Sequence, residues 1–242
     1  MSEERVEAEE VEKKIVKAGD LILIDYTIKV KETGELVETT MKEVAEKEGM
    51  ETARLEPRLV IPGKGFLLKS IEDELIGMAP GEEKRFEVPP EKAFGPRDPS
   101  KIKVIPLRRL RDVEGPITIG SRVMIDGREG IVRSIGSGRV QIDFNPYLAG
   151  KTLDCHLKVV KILTTDLDKI RALIHYRIPD VDVKKFKIRV RKPEVRITVP
   201  EEAFLLAGIQ VSKRALAKDL MDYLEGVGKV TYVETYTSQS FG

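Results

Sequence analysis

The sequence predicts an α+β protein built mainly on antiparallel strands, and three observations carry that prediction. Short runs of β-branched and aliphatic residues, each closed by a Gly, Pro, Asp or Asn turn, recur from Leu21 to Val160. Helical periodicity within that span is confined to brief stretches, at Met41 to Gly49 and around Ser70 to Leu75. Beyond Leu163, helix-like and strand-like segments alternate, which reads as a further α+β unit.

Composition narrows the function classes. A chain of 242 residues suffices for two or three domains with their own cores. The net charge of +1 provides no global field toward nucleic acid or a membrane. The chain has no run of about eighteen apolar residues, and its acidic N-terminus has no apolar signal region. A cytoplasmic protein is the expectation. One cysteine, Cys155, excludes an intramolecular disulfide framework and a cysteine metal cluster. His156 and His175 are too few and too far apart to suggest zinc, so no cofactor is expected. Charged residues reach 34%, with one asparagine, three glutamines and no tryptophan, the pattern of a thermophilic source.

Taken in order, Met1 to Lys14 is an acidic tail whose apolar residues are Val6, Ala8 and Val11. Leu21 to Val30 reads as a strand, Thr33-Gly34 as a turn, and Leu36-Val37 as the start of the return strand. Val60 and Ile61 form a β-branched pair stopped by Pro62-Gly63. Ser70 introduces a short helix that places Leu67, Ile71 and Leu75 on one face, closed by Pro80-Gly81. Glu82 to Val88 is strand-like.

Four β runs follow, at Lys101 to Leu107, Arg122 to Asp126, Gly130 to Ile135 and Arg139 to Phe144. Asp126-Gly127 and Gly136-Ser137-Gly138 supply hairpin turns. Val140, Ile142 and Phe144 alternate with Gln141 and Asp143, which predicts one apolar face and one polar face. The cluster Arg108-Arg109-Leu110-Arg111 reads as a solvated basic face, with nucleic acid the weaker alternative.

Asp166 to Tyr176 suits a helix with Leu167, Ile170 and Ile174 on one face. Phe186, Ile188 and Val190 alternate with Lys187, Arg189 and Arg191 until Pro193 interrupts, and Val195 to Val199 makes the next strand. No aromatic platform accompanies those cations, which counts against a nucleic-acid role. Pro200-Glu201-Glu202 opens a short helix. Ser212 caps a longer helix running to Glu225, with Leu216, Leu220, Met221 and Leu224 as its stripe. Val230 to Tyr236 is the final strand.

The stretch Leu59 to Pro96 carries the strongest signal. Gly63-Lys64-Gly65-Phe66-Leu67-Leu68, Ile71-Glu72, Gly77-Met78, Gly81-Glu82-Glu83, Val88-Pro89-Pro90-Glu91 and Ala93-Phe94-Gly95 stand in one register. A dinucleotide fingerprint would need a third glycine and a long helix, and has neither. This pattern resembles the FKBP-type peptidyl-prolyl cis-trans isomerases. The resemblance implies an antiparallel sheet wrapped on a short helix. Asn145 to Leu153 with Cys155 to Val160 resembles the closing segment of SlyD-like members, so nearly fifty residues are inserted before it. By position and pattern that insert resembles an insert-in-flap domain, which binds unfolded polypeptide.

The resulting division is a tail at 1–14, an isomerase domain at 15–96 plus 145–163, an insert at 97–144 and a C-terminal α+β domain at 164–242. The resemblance to long archaeal members implies interaction or homodimerisation for that last domain. It also implies a pocket of Tyr26, Val37, Glu38, Leu67, Leu68, Ile71 and Phe94, with the Leu68 N–H as donor to a substrate carbonyl. Cys155, Val123, Ile125, Ile131, Val140 and Ile142 would contact substrate. Phe94 in place of tyrosine, Ile71 in place of tryptophan and Cys155 near the place of a closing-strand phenylalanine are departures that point to modest turnover and weak macrolide binding, and Glu38 stands where the family carries aspartate. The expected partners are unfolded or nascent polypeptides containing X-Pro bonds, with chaperone activity from the insert. The alternative is a non-enzymatic holdase that retains only a relic pocket.

Overall fold

The computed structural model describes residues 14–52, 55–110 and 115–238. Residues 1–13 of the acidic tail and Arg111 of the basic cluster lie outside the described residues. Strands β1 (Ile22–Val30), β2 (Leu36–Thr39), β3 (Arg58–Val60), β4 (Glu83–Val88) and β9 (Leu153–Ile162) form one sheet, in the order β2-β1-β9-β4 with β3 paired to β1. Its helices are α1 (Lys42–Lys47) and α2 (Lys69–Leu75). Strands β5 (Ile102–Pro106), β6 (Arg122–Ile125), β7 (Arg128–Gly136) and β8 (Arg139–Asp143) form a second sheet, in the order β5-β8-β7-β6. The third sheet comprises β10 (Lys187–Arg191), β11 (Glu194–Thr198) and β12 (Lys229–Val233), accompanied by α3 (Asp166–Arg177) and α4 (Ile209–Tyr223).

Packing groups the chain into two compact units. One holds the described residues up to Thr27, Thr39–Lys84 and those from His156 onward; the other holds Ile28–Glu38 and Arg85–Cys155. In the first, a single core joins Leu21, Leu59 and Ile61 to Ile170, Leu173 and Ile174 of α3 and to Val195, Ile197, Leu216 and Leu220. The C-terminal segment therefore shares its core with β3 and the chain beside it. Phe66 packs against Tyr176 with ring centroids 5.2 Å apart, and His175 Nε2 pairs with Glu56.

Several predicted details shift. The Thr165 hydroxyl oxygen caps α3 by accepting the Asp168 N–H at 3.1 Å, and packing against the core buries Ile170, Leu173 and Ile174 while Leu167 is exposed. The α4 helix starts at Ile209, after Gly208 at φ +77°, and Ser212 lies inside its first turn, donating to the Gly208 carbonyl. Burial of Ile209 outweighs the capping preference of Ser212. Met221 faces outward, while Leu216, Leu220 and Leu224 are buried. The parallel pairing of β12 with β11 ends at Val233, opposite Thr198, where the Val199 N–H donates to the Val233 carbonyl at 2.9 Å.

In the second unit, β5–β8, β7–β8 and β6–β7 pair antiparallel. Asp126-Gly127 and Ser137-Gly138 form the tight turns, with φ of +50° and +74°, and of +49° and +70°. Two consecutive positive values match the right-handed twist of a two-residue hairpin. The core consists of Ile105, Leu110, Val123, Val132, Val140 and Ile142, with Phe144 packed against it.

Asp143 corrects the predicted polar face, for it is buried. Its carboxylate accepts from the Asn145 backbone N–H at 3.0 Å, from Asn145 Nδ2 at 2.8 Å, from Arg133 Nη2 at 3.2 Å, and from Arg97. Asn145 also exchanges two 2.9 Å hydrogen bonds with the Asp98 backbone. Burial pushes the Asp143 carboxyl up, but the Asn145 bonds and the two guanidinium groups outweigh it and hold it below the ordinary aspartate value. The cluster clasps the chain where it enters the second sheet to the chain where it leaves.

Candidate active site

The loop between β3 and α2 is organised by one carboxylate. Glu72, on the buried side of α2, accepts from the Gly63 N–H at 2.8 Å and the Gly65 N–H at 3.2 Å through Oε2, and from the Leu67 N–H at 2.9 Å through Oε1. Gly63 and Gly65 stand at φ +86° and +77°, a conformation that side chains disfavour, and this lets both N–H groups turn toward one oxygen. Charge-assisted bonds of this kind are the strong ones. Their effect is to fix Phe66, Leu67 and Leu68 at the start of α2, where helix geometry leaves N–H groups without intrahelical acceptors. Phe66 is held from its other side by Tyr176 of α3.

Tyr26, on β1, is fully buried, and its hydroxyl accepts from Arg58 Nη1 at 2.7 Å. Its backbone N–H donates to Thr40 Oγ1 at 2.9 Å, and that hydroxyl donates to Asp25 Oδ1 at 3.0 Å. The Thr27 and Thr39 hydroxyls lie 2.7 Å apart. Ile71 is fully buried on α2, while Leu67 and Leu68 are half-buried. The first unit thus brings Tyr26, Leu67, Leu68 and Ile71 into one folded body, with Leu67 and Leu68 as the members that solvent reaches.

The remaining predicted residues belong to the second unit. Val37 and Glu38 are exposed on β2, and Phe94 is 43% exposed after β4. Cys155 is sealed on the inward row of β9 with Leu153, Leu157 and Val159. Burial, with a smaller contribution from Asp154, pushes its thiol up to about 12, so it has no thiolate character near neutrality. Val123, Val140 and Ile142 are core residues of the second sheet with no surface to offer a ligand, and Ile125 and Ile131 are half-buried. The predicted binding face is corrected at Val123, Val140 and Ile142, and the exposed apolar side chains of this sheet and its loops include Val104, Leu107, Ile119, Met124 and Ile135. The alternation of β8 identified the apolar face, which the resemblance assigned to substrate and which covers the core.

The FKBP-type peptidyl-prolyl cis-trans isomerase family matches residues 12–110, the FKBP26 IF domain matches residues 103–148, and FKBP26_C-terminal matches residues 166–237. The short-type peptidyl-prolyl cis-trans isomerase of Methanocaldococcus jannaschii is 33% identical over 147 residues, which cover 60% of this chain and 92% of that protein. The chain belongs to the FKBP-type peptidyl-prolyl cis-trans isomerase family. The FKBP-type 16 kDa peptidyl-prolyl cis-trans isomerase of Escherichia coli is 28% identical over 152 residues, 61% of this chain and 93% of that protein. The FKBP-type isomerase SlyD of Aeromonas hydrophila is 23% identical over 154 residues, 62% of this chain and 66% of that protein.

Within this FKBP-type chain, sequence reasoning located Glu72 in the motif but not its role. The available signal was a carboxylate seven to nine residues after two glycines, at the first turn of a helix. The Arg58–Tyr26 bond had no sequence signal, because only the pairing of β1 with β3 (Ile24 opposite Arg58) makes the two neighbours.

Proposed function

We propose that this FKBP-type protein accelerates rotation about X-Pro amides in unfolded or nascent polypeptides, using Leu67 and Leu68, backed by the buried Ile71 and Tyr26, as an apolar wall. The observation that carries the reading is the Glu72 carboxylate holding Gly63, Gly65 and Leu67. It presents two half-buried leucines and a helix start on a rigid loop. Rotation about a peptide bond faces about 18–20 kcal/mol because resonance gives the C–N bond double-bond character. No covalent bond breaks. In the twisted amide that resonance is lost and the carbonyl is less polar, so a dry aliphatic wall favours it over the planar form. The Leu68 N–H donates to a substrate carbonyl and orients the chain. Spontaneous X-Pro rotation takes tens to hundreds of seconds, slow enough to limit folding.

The same reading gives the insert a polypeptide-binding role that keeps prolyl bonds near the wall at high effective concentration. Val104 and Met124, 58% and 60% exposed, support it. It divides the chain into an isomerase domain at 15–96 plus 145–163, the insert at 97–144 and a C-terminal domain at 164–242. That last domain serves as a homodimer contact, supported by Leu205 and Val211 at 95% and 74% exposure and decided by the mass from light scattering. The charge-rich, amide-poor composition supports a thermophilic source. Among the described residues no helix is long and apolar enough to cross a membrane, and the cytoplasm is the compartment this reading assigns.

NMR exchange on a short X-Pro peptide, without a coupled protease, tests the catalytic claim. Wild type is expected to accelerate exchange and Leu68→Asp to abolish the acceleration with its circular dichroism unchanged. No acceleration by folded wild type would favour the holdase reading.

A further inference from the structure

The second unit contains a cleft of about 720 Å³ that the isomerase reading does not use. Its walls are β5 with the turn before it and the β6–β7 hairpin; its apolar floor is Ile105, Ile125 and Phe144, with Val104 exposed at the rim. The polar lining is one-sided: Lys101, Lys103, Arg109 and Arg128 against Asp126 alone. Arg109 Nη2 lies 3.5 Å from Asp126 Oδ2, so that carboxylate is already matched. Lys101, Lys103 and Arg128 have no ion-pair partner among the described residues. Asp98, beside the cleft, is occupied by Ser100: hydrogen bonds from Ser100, with Lys101 and Lys103 adding to them, hold its carboxyl below the ordinary aspartate value.

The cationic bias is local. The chain as a whole carries +1, whereas Arg97 to Phe144 holds ten basic and six acidic residues. Three cations without an ion-pair partner among the described residues, set around an apolar floor, are complementary to a ligand carrying both carboxylates and apolar side chains.

We infer that the insert selects client segments in which acidic residues flank aliphatic or aromatic ones, taking the apolar side chains on Ile105, Ile125 and Phe144 and the carboxylates on Lys101, Lys103 and Arg128. The inference rests on the polypeptide-binding reading of the insert and adds its charge preference. A polypeptide fits better than a nucleic acid because Phe144 is the one aromatic ring in the lining, where successive bases would need a run of stacking platforms.

Fluorescence anisotropy on the full chain tests it with three labelled probes: an extended peptide of alternating Glu and Val or Leu, its Gln-for-Glu counterpart, and single-stranded oligonucleotide. Exposed ion pairs each contribute a factor of about 1.5 to 5. Three of them give the acidic peptide an advantage of about tenfold over the Gln peptide at low salt. That advantage should fall toward unity in about 0.5 M salt, where screening shortens below the Debye length of dilute buffer. Lys103→Glu with Arg128→Glu should remove it while leaving the affinity for the Gln peptide and the X-Pro exchange rate unchanged. Equal affinity for both peptides would overturn the charge selection and leave polypeptide binding standing. Binding of neither peptide would overturn the polypeptide reading itself. Tighter binding of the oligonucleotide than of the acidic peptide would overturn the inference in favour of a polyanion site.

Discussion

Replacing Glu72 tests whether one carboxylate fixes the loop that presents Leu67 and Leu68. Three N–H groups point at it, at 2.8, 3.2 and 2.9 Å. Hydrogen bonds to a charged group contribute about 1.5–3 kcal/mol each, and a donor stranded by loss of its partner costs about 1–3 kcal/mol. Gly63 and Gly65 are exposed, so water reaches their N–H groups once the carboxylate is gone, which puts each loss near the lower end. Glu72→Ala is therefore expected to cost about 3 kcal/mol. Glu72→Gln keeps one oxygen. Aimed at Gly63 and Gly65, that oxygen preserves two bonds and turns the amide NH₂ against the Leu67 N–H, donor to donor, for a loss of about 1–2 kcal/mol. Guanidinium unfolding with an unchanged slope would measure both, and amide shifts of Gly63, Gly65 and Leu67 would locate the change. If the loop is the catalytic wall, kcat/KM on an X-Pro peptide falls by about 10–100-fold in the alanine variant, the scale expected for a misplaced wall of about 1 Å. A Glu72→Ala protein within about 1 kcal/mol of wild type, or with those three amide shifts unmoved, would refute the reasoning.

Gly130→Ala is expected to destabilise by about 1–3 kcal/mol through overpacking, because the added Cβ would meet Ile142 Cγ2 at 2.5 Å and the Phe144 ring at 3.0 Å. Gly136→Ala has open space around it and serves as the control, with thermal melts of both variants as the measurement. Asp143 gives a pH dependence. Its folded value is depressed below the ordinary 3.8, so its contribution is fully present above that value and is lost as pH falls through the folded value. The stability difference between wild type and Asp143→Asn should accordingly hold from neutrality down to about pH 4 and shrink below it. A difference that stays constant into stronger acid would show that Asp143 does not carry it.

The sequence by itself determined the parts governed by local chemistry. Positive-φ turns at Asp126-Gly127 and Ser137-Gly138 follow from the residues that tolerate that conformation. The glycines and Glu72 of the loop motif were legible together for the same reason: they lie within ten residues of one another. Only the tertiary structure decided which side of an alternating strand meets the core, since period-two alternation does not say where the rest of the chain packs. That is why Val140 and Ile142 became core, and why Asp143 became a buried clasp between Arg97 and Asn145. The start of α4 at Ile209, the union of Leu59 and Ile61 with α3, and the gathering of Lys101, Lys103 and Arg128 around one cleft were settled in the same way. Each depends on neighbours brought in from distant sequence, and burial of apolar area there outweighs the local preferences that a single stretch of chain can express.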